Sequence, residues 1–279
     1  MIVTRIIGGL GNQMFQYAIG RNLAIQKATN LQLDTSAFKK YKLHQYSLDE
    51  FNLSYTEANE LEVLKIKFFK LIKNKKYIKE KDEHTYNFSK LNNDIFLEGY
   101  WQNEYYFIGI KHILTKEFGS LRKPMRDKVK NIKKTINSHN HSVSVHIRRG
   151  DYINNPKTSN THGNCSLDYY HKAINEIIKK TARPTFFCFS DDIDWVKKNL
   201  KINAATFYPS ELGSRTNIED LYLMSKCRHH IIANSTFSWW GAWLGEYENS
   251  VIIGPKKWFV AEDMKHLNIM PVRWMKIQA

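Results

Sequence analysis

The sequence predicts an α/β protein built on doubly wound parallel sheets. In its second half, strand-like runs at 142–147, 185–189, 204–208, 229–233 and 250–254 alternate with helical patterns at about 168–180, 192–199, 216–226 and 235–246. Such alternation is the signature of parallel strands joined by crossover helices. At the other end, strand 2–7 runs into Gly8-Gly9-Leu10-Gly11, a helix over about 12–27 and a second strand at Leu31-Gln32-Leu33-Asp34. A glycine turn between strand and helix brings backbone N–H groups close to whatever binds there.

The first helix carries Met14, Phe15, Ala18, Ile19 and Ala24 as its inner stripe. Region 40–120 is less regular and rich in Tyr, Phe, Asn and Lys, including Gly99-Tyr100-Trp101-Gln102. Aromatics interleaved with amides suit carbohydrate contacts, and they suit ordinary packing equally. The polar, lysine-rich stretch 121–140 is the candidate boundary, giving an N-terminal domain 1–135 and a C-terminal domain 136–279. No repeat of fixed period and no low-complexity block interrupts this order.

The 279 residues are 42% hydrophobic and 25% charged, enough to bury a core and unlike a disordered chain. The longest apolar runs, such as Thr185-Phe186-Phe187-Cys188-Phe189, are too short to span a bilayer. The start, Met1-Ile2-Val3-Thr4-Arg5, enters a strand pattern directly and shows no signal-peptide features. Cys165, Cys188 and Cys227 are odd in number and widely spaced, which favours free thiols. These features lead to the expectation of a cytoplasmic protein.

The net charge of +15, from 42 basic and 27 acidic side chains, suits an anionic partner. It is uneven: Lys65 to Lys81 holds eight lysines and one acid, Glu80. Leu61, Leu64, Phe68, Leu71 and Ile72 fall at helical spacing across the same stretch. A basic amphipathic helix can rest on an anionic membrane surface; a solvated lysine face is the ordinary alternative. Nucleic acid is not an expected partner, because neither a KH loop nor an RRM aromatic signature is present.

Four stretches could carry chemistry. The first is the glycine turn with Gly11, Asn12 and Gln13, whose amides can donate to phosphate or sugar oxygens. As a dinucleotide fingerprint it is incomplete, since Met14 stands at the third glycine position, although Asp34 lies about where a ribose-binding acid would. The second is His146-Ile147-Arg148-Arg149-Gly150-Asp151-Tyr152, at the end of a strand. Two guanidiniums there suit a phosphate clamp. Alternation puts His146 and Arg148 on one side and Arg149 on the other, which makes Arg148 the better candidate for the phosphate ligand and Arg149 a candidate structural residue.

The third stretch, Phe189-Ser190-Asp191-Asp192, ends the next strand. Its acids could accept from ribose or guanine, cap a helix, or, as Asp192 and Asp194, hold a metal. The fourth is Asn234-Ser235-Thr236-Phe237-Ser238-Trp239-Trp240-Gly241-Ala242-Trp243, a polar strand-to-helix junction able to offer hydroxyls and free N–H groups to a diphosphate. His139, His141, His229 and His230 lack the spacing of a metal site, and no P-loop or G-x-S-x-G elbow is present.

In order and spacing these four stretches resemble glycosyltransferase family 11, the α-1,2-fucosyltransferases. The resemblance implies a GT-B architecture, two Rossmann-like domains facing across a cleft, with GDP-fucose bound mainly by the C-terminal domain. It implies inverting transfer of fucose to the 2-hydroxyl of a galactose-terminated glycan, in surface-glycan or O-antigen synthesis, without a metal or other cofactor. By the same resemblance Arg148 stabilises the departing GDP and Asn12 holds the sugar or diphosphate. Gly11, His146, Asp191, Asn234, Ser235, Thr236 and Ser238 bind the donor. Asp151, the carboxylate nearest the clamp, is the candidate base; a phosphate oxygen accepting the proton is the alternative. Competing functions are another nucleotide-sugar transferase using a metal at Asp192 and Asp194, or a non-catalytic nucleotide- or RNA-binding protein.

Overall fold

The computed structural model describes residues 1–41, 43–72, 74–80, 88, 93–149, 163–259, 261 and 269–279. The chain divides into two compact units, Met1–Lys123 and Pro124–Ala279.

Among its described residues the first unit holds five strands: β1 Ile2–Arg5, β2 Leu31–Asp34, β3 Thr56–Glu57, β4 Tyr77–Lys79 and β5 Ile95–Glu98. They form one sheet in the order β3-β2-β1-β5-β4, every pairing parallel. Helix α1, Leu10–Gln26, lies on the Thr4 face, where its Gly20 packs directly against the Thr4 side chain. It starts two residues ahead of the expected helix, with Gly9 as N-cap and Gly11 inside the first turn. The inner stripe read from the sequence is buried, with Met14, Phe15, Ala18 and Ile19 all at 0% exposure. Helix α2, Glu60–Leu71, covers the opposite face by setting Ile66 against Val3 and Phe96. Helix α3, Lys111–Phe118, buries Leu114 and Phe118. Irregular composition concealed β3, β4 and β5 because each is only two to four residues long.

The second unit opens with helix α4, Asp127–Asn137. Its lysines occupy one face while Val129, Ile132 and Ile136 are buried, which explains why its stretch looks like a linker. The expected boundary at 135/136 therefore falls inside this helix. Arg126, just before it, grips Glu219 of the same unit through two bonds, each 2.6 Å.

Strands β6 Ser142–Ile147, β7 Thr185–Ser190, β8 Thr206–Phe207, β9 His229–Ile231, β10 Ile252–Pro255 and β11 Met275–Ile277 make the second sheet. Its order is β11-β10-β9-β6-β7-β8, again all parallel. Counted from β6, this is the 3-2-1-4-5-6 order of doubly wound dinucleotide folds. The connecting helices are α5 Leu167–Lys180, α6 Ile193–Asn199, α7 Pro209–Leu212, α8 Asn217–Met224 and α9 Thr236–Leu244.

Strand β6 alternates polar and apolar residues yet is buried throughout. A parallel sheet covered on both faces explains this. Val143, Val145 and Ile147 enter the core built with Tyr169, Ala173 and Ile177 of α5. On the other face, Ser144 Oγ meets His230 Nδ1 at 2.8 Å, which gives those two buried polar groups a partner in each other. The histidines behave as packing residues: His141 stacks on His229 with ring centroids 5.6 Å apart. All three cysteines are free, and burial pushes the Cys165 and Cys188 thiols up to about 12.

Candidate active site

The second sheet reverses direction between β6 and β9. Loops leaving the carboxyl ends of strands on either side of such a reversal open a crevice where ligands bind. His146–Arg149 leaves β6, Asn234–Ser238 leaves β9, and Ser190–Asp192 ends neighbouring β7. Three stretches far apart in sequence thus lie on one edge of one sheet.

The arginines are held in two different ways. Arg148 Nη1 lies 3.1 Å from Asp191 Oδ2, and both side chains remain partly open to solvent. The other oxygen of Asp191 accepts the Arg149 backbone N–H at 2.9 Å. Asp191 is therefore the brace of the clamp. The Arg149 side chain turns aside: its guanidinium sits 3.5 Å from the Trp195 ring centroid, and its Nε donates to Asp192 Oδ2 at 3.3 Å. This agrees with its reading as the structural arginine. Trp195 escaped the sequence reading; its place in the first turn of α6, after the acid pair, is the signal that could have found it.

Asp192 caps α6, its Oδ1 accepting from Trp195 N at 3.1 Å, while its own N–H donates to Ser190 Oγ. The acid pair read as a metal site is thus a helix start with one carboxylate engaged at both oxygens. Among the described residues no group of three or more His, Cys, Asp or Glu side chains is gathered to hold a metal ion. Gly150, Asp151 and Tyr152 lie outside the described residues, and with them the candidate base.

His146 is buried and packs against Phe237, ring centroids 5.4 Å apart. Burial, with Arg148 nearby, lowers its pKa to about 3, so the imidazole is neutral at physiological pH. Its Nδ1 has no hydrogen-bond partner among the described residues. A buried polar atom without a partner costs stability and suits a site that a ligand completes.

Across the reversal, Ser235 is the N-cap of α9 and makes no side-chain cap bond to it. The first N–H groups of that helix are left to meet an anion. Thr236 is half-buried at the same turn. Asn234 and Ser238 are more deeply placed. The Asn234 amide donates to Gly163 O and Trp258 O, at 3.2 and 3.3 Å. The Ser238 hydroxyl is directed at Ala233 O and Ser235 O, at 3.4 and 3.2 Å. These two residues hold the shape of the turn. Behind them Trp239, Trp240 and Trp243 are fully buried and anchor α9. Gly241 is required because a Cβ there would come within 3.0 Å of Met224 Cβ.

The glycine turn belongs to the first unit. Gly8 has φ +81°, and a Cβ there would lie 2.8 Å from Asn12 Nδ2. Asn12 Oδ1 accepts from Gln102 Nε2 at 2.8 Å, which ties the turn to the Gly99–Gln102 aromatic stretch. Gln13 is not available to a ligand: its amide N donates to Gly8 O and Gln45 O, and its oxygen accepts from Ser47 N. Gly11 is buried within the helix. Asp34 accepts from Ser36 N at 3.0 Å, a turn-forming bond. Beside the turn opens a cavity of about 890 Å³, lined among others by Arg5, Gly8, Ser36, Tyr41, Lys67 and Tyr100. Sequence reading found the aromatics but not the cavity, because its walls come from the end of β1, the stretch after β2, the end of β3, α2 and the loop after β5.

Two parallel α/β units, with an arginine clamp and an open helix N-terminus at one sheet's reversal, define a GT-B-like group-transfer enzyme. The glycosyl transferase family 11 model matches residues 1–278, and the chain belongs to that family; it is a glycosyltransferase. An Escherichia coli protein named alpha-1,2-colitosyltransferase is 36% identical, with 100% of this chain and 99% of that protein covered. The Escherichia coli O-antigen biosynthesis glycosyltransferase WbnK is 31% identical over 94% of this chain and 96% of its own length. Human galactoside alpha-(1,2)-fucosyltransferase 1 is 27% identical over 37% of this chain and 28% of its own. Among solved structures, fucosyltransferase NodZ from Bradyrhizobium has the same fold at a TM-score of 0.50 and 12% identity, covering 86% of this chain and 91% of that one. Family membership overturns the non-catalytic binding-protein alternative.

Proposed function

We propose that this glycosyltransferase moves L-fucose from GDP-β-L-fucose to the 2-hydroxyl of a galactose-terminated glycan, with inversion, in surface-glycan or O-antigen synthesis at the cytoplasmic side of a membrane. The observation that carries the reading is Arg148, braced by Asp191 beside the open N-terminus of α9. That pairing offers a fixed positive charge and oriented N–H groups to one diphosphate. The names of the relatives support the sugar, the linkage and the process.

In the proposed reaction the acceptor 2-hydroxyl attacks the fucose anomeric carbon as the bond to the β-phosphate oxygen breaks. Negative charge grows on the departing GDP, where the Arg148 guanidinium and the first N–H groups of α9 stabilise it. Neutral His146 offers a hydrogen-bonding nitrogen to the nucleoside, and Ser235 and Thr236 flank the phosphates. Asp191 acts by positioning Arg148, while Asn234 and Ser238 shape the turn. Asn12 is the proposed sugar contact on the glycine turn of the first unit. The acceptor proton passes to Asp151 or to a phosphate oxygen. No metal enters the proposed chemistry.

The 36% identity to a colitosyltransferase favours a second donor, GDP-L-colitose. Colitose is fucose without its 3-hydroxyl. A site that hydrogen-bonds a substrate hydroxyl rejects the analogue lacking it by roughly 10⁴-fold, whereas a site that makes no such bond accepts both. The test is to incubate purified protein with each donor and a panel of galactosides, then read the product linkage by NMR. An α-1,2-linked 6-deoxyhexose on galactose is the expected product. Faster turnover with GDP-colitose would reassign the donor and keep the linkage. GDP release at the donor-hydrolysis background across the panel would refute the reading.

A further inference from the structure

The lysine-rich stretch of the first unit has a place in the fold that transfer chemistry does not use. Helix α2 docks on its sheet through Ile66, its single buried residue. Yet it also carries Leu61, Leu64, Phe68 and Leu71, exposed by 70%, 58%, 57% and 80%, followed by Ile72 at 50%. At about 100° per residue these five side chains fall in one stripe roughly 100° wide, centred opposite Ile66. The helix is therefore amphipathic in the wrong sense for a globular protein, with its main apolar face turned to solvent. Contiguous exposed apolar surface of this kind marks an interaction site.

Charge selects the partner. On the same wheel Lys65 and Lys67 border the stripe on its two sides, both exposed, and exposed Lys75 follows in the next turn. The helix acids, Glu60 and Glu62, both lie in its first turn. Glu62 closes a capping box with Asn59, and Glu60 lies 3.8 Å from Lys39. A second copy of the chain would bring lysine-flanked stripes together, against the repulsion of two molecules of charge +15. An anionic lipid surface meets both features at once: acyl chains take the stripe, and headgroups take the lysines on either side.

We propose that α2 docks this protein on anionic bilayers, lying in the interface plane with Leu61, Leu64, Phe68, Leu71 and Ile72 inserted. Leu64 and Lys67 also line the cavity of the first unit, so the docked face and the cavity mouth are contiguous. Docking itself needs neither donor nor acceptor and stands apart from the sugar assignment.

The test is sedimentation of the full chain, without substrates, with vesicles of phosphatidylcholine alone or phosphatidylcholine mixed with phosphatidylglycerol. Binding to the anionic vesicles only, weakened by added salt, is expected. Lys65→Gln with Lys67→Gln should weaken partitioning about 25-fold, from roughly fivefold per lysine. Phe68→Ser with Leu71→Ser should weaken it by at least about tenfold, since each buries apolar surface in the interface. Both positions are exposed, so an unchanged urea midpoint shows that the variants fold. Sedimentation with neither vesicle, equal binding to both, or undiminished binding by Phe68→Ser/Leu71→Ser would overturn the proposal. So would a concentration-dependent dimer abolished by that variant, which would make the stripe a self-association surface.

Discussion

Under the proposed mechanism, replacing Arg148 with alanine should separate catalysis from stability. The side chain lies 3.1 Å from Asp191 and is 31% exposed, its partner 26%. An ion pair this open contributes only about 1 kcal/mol to folding. Its backbone neighbour keeps the other Asp191 oxygen occupied, through the Arg149 N–H at 2.9 Å, so the carboxylate does not lose every partner. In the proposed reaction the same guanidinium acts on the departing diphosphate as a preorganised charge, and removal of such a group costs about 2.7–4 kcal/mol of transition-state stabilisation. Arg148→Ala should therefore lower kcat by roughly 10²–10³-fold while shifting the urea midpoint little. Arg148→Lys keeps the charge but loses the planar fork, and should fall between. Asp191→Asn leaves Arg148 in place but unbraced and should cost roughly tenfold. The assay is GDP release with donor and a galactoside acceptor, paired with urea denaturation of each variant. An Arg148→Ala rate within about threefold of wild type would refute the clamp. An Asp191→Asn loss larger than that of Arg148→Ala would refute the division between brace and clamp.

Further outcomes follow from the geometry. Trp195→Ala removes the ring lying 3.5 Å beneath the Arg149 guanidinium and should cost about 1–2 kcal/mol of stability in urea denaturation. Its effect on kcat should stay well below that of Arg148→Ala; a larger one would make Arg149 the phosphate ligand. Gly241→Ala forces a Cβ to within 3.0 Å of Met224 Cβ and should cost about 1–3 kcal/mol, read from the same midpoints. His146 has a pKa of about 3 in the fold, against about 6.5 in an unfolded chain. Its contribution is complete above pH 6.5 and is lost as the pH falls toward 3, because the unfolded chain takes the proton first. Between pH 6.5 and 5 this amounts to about 2 kcal/mol, and His146→Gln should flatten the stability-versus-pH slope by that much. Parallel slopes for the two proteins would show His146 exposed to water.

The strand ends of the candidate site were readable because a strand followed by charged, polar or glycine-rich residues leaves a local pattern. The sequence separated Arg148 from Arg149 by alternation, and in the structure the two side chains take different partners, Asp191 for Arg148 and the Trp195 ring for Arg149. Other residues were legible by type but not by role. Asn234, Ser238 and Gln13 carry the right groups for a ligand, yet those groups bond to Trp258, Ala233 and Gln45. The two or three residues of β3 and β4 could not be read at all, since such short strands exist only through their pairing.

By itself, then, the sequence determined the class of fold, the positions of the strand ends and the candidate residues that they carry. All of these depend on periodicity and on neighbours a few residues away. Tertiary structure alone decided that β6 and β9 flank the reversal of the second sheet, that Asp191 braces Arg148, and that the apolar stripe of α2 faces outward. Each is a contact or an exposure set by chain segments tens of residues apart. Whether a polar group is engaged, or an apolar one covered, is settled only when those segments meet.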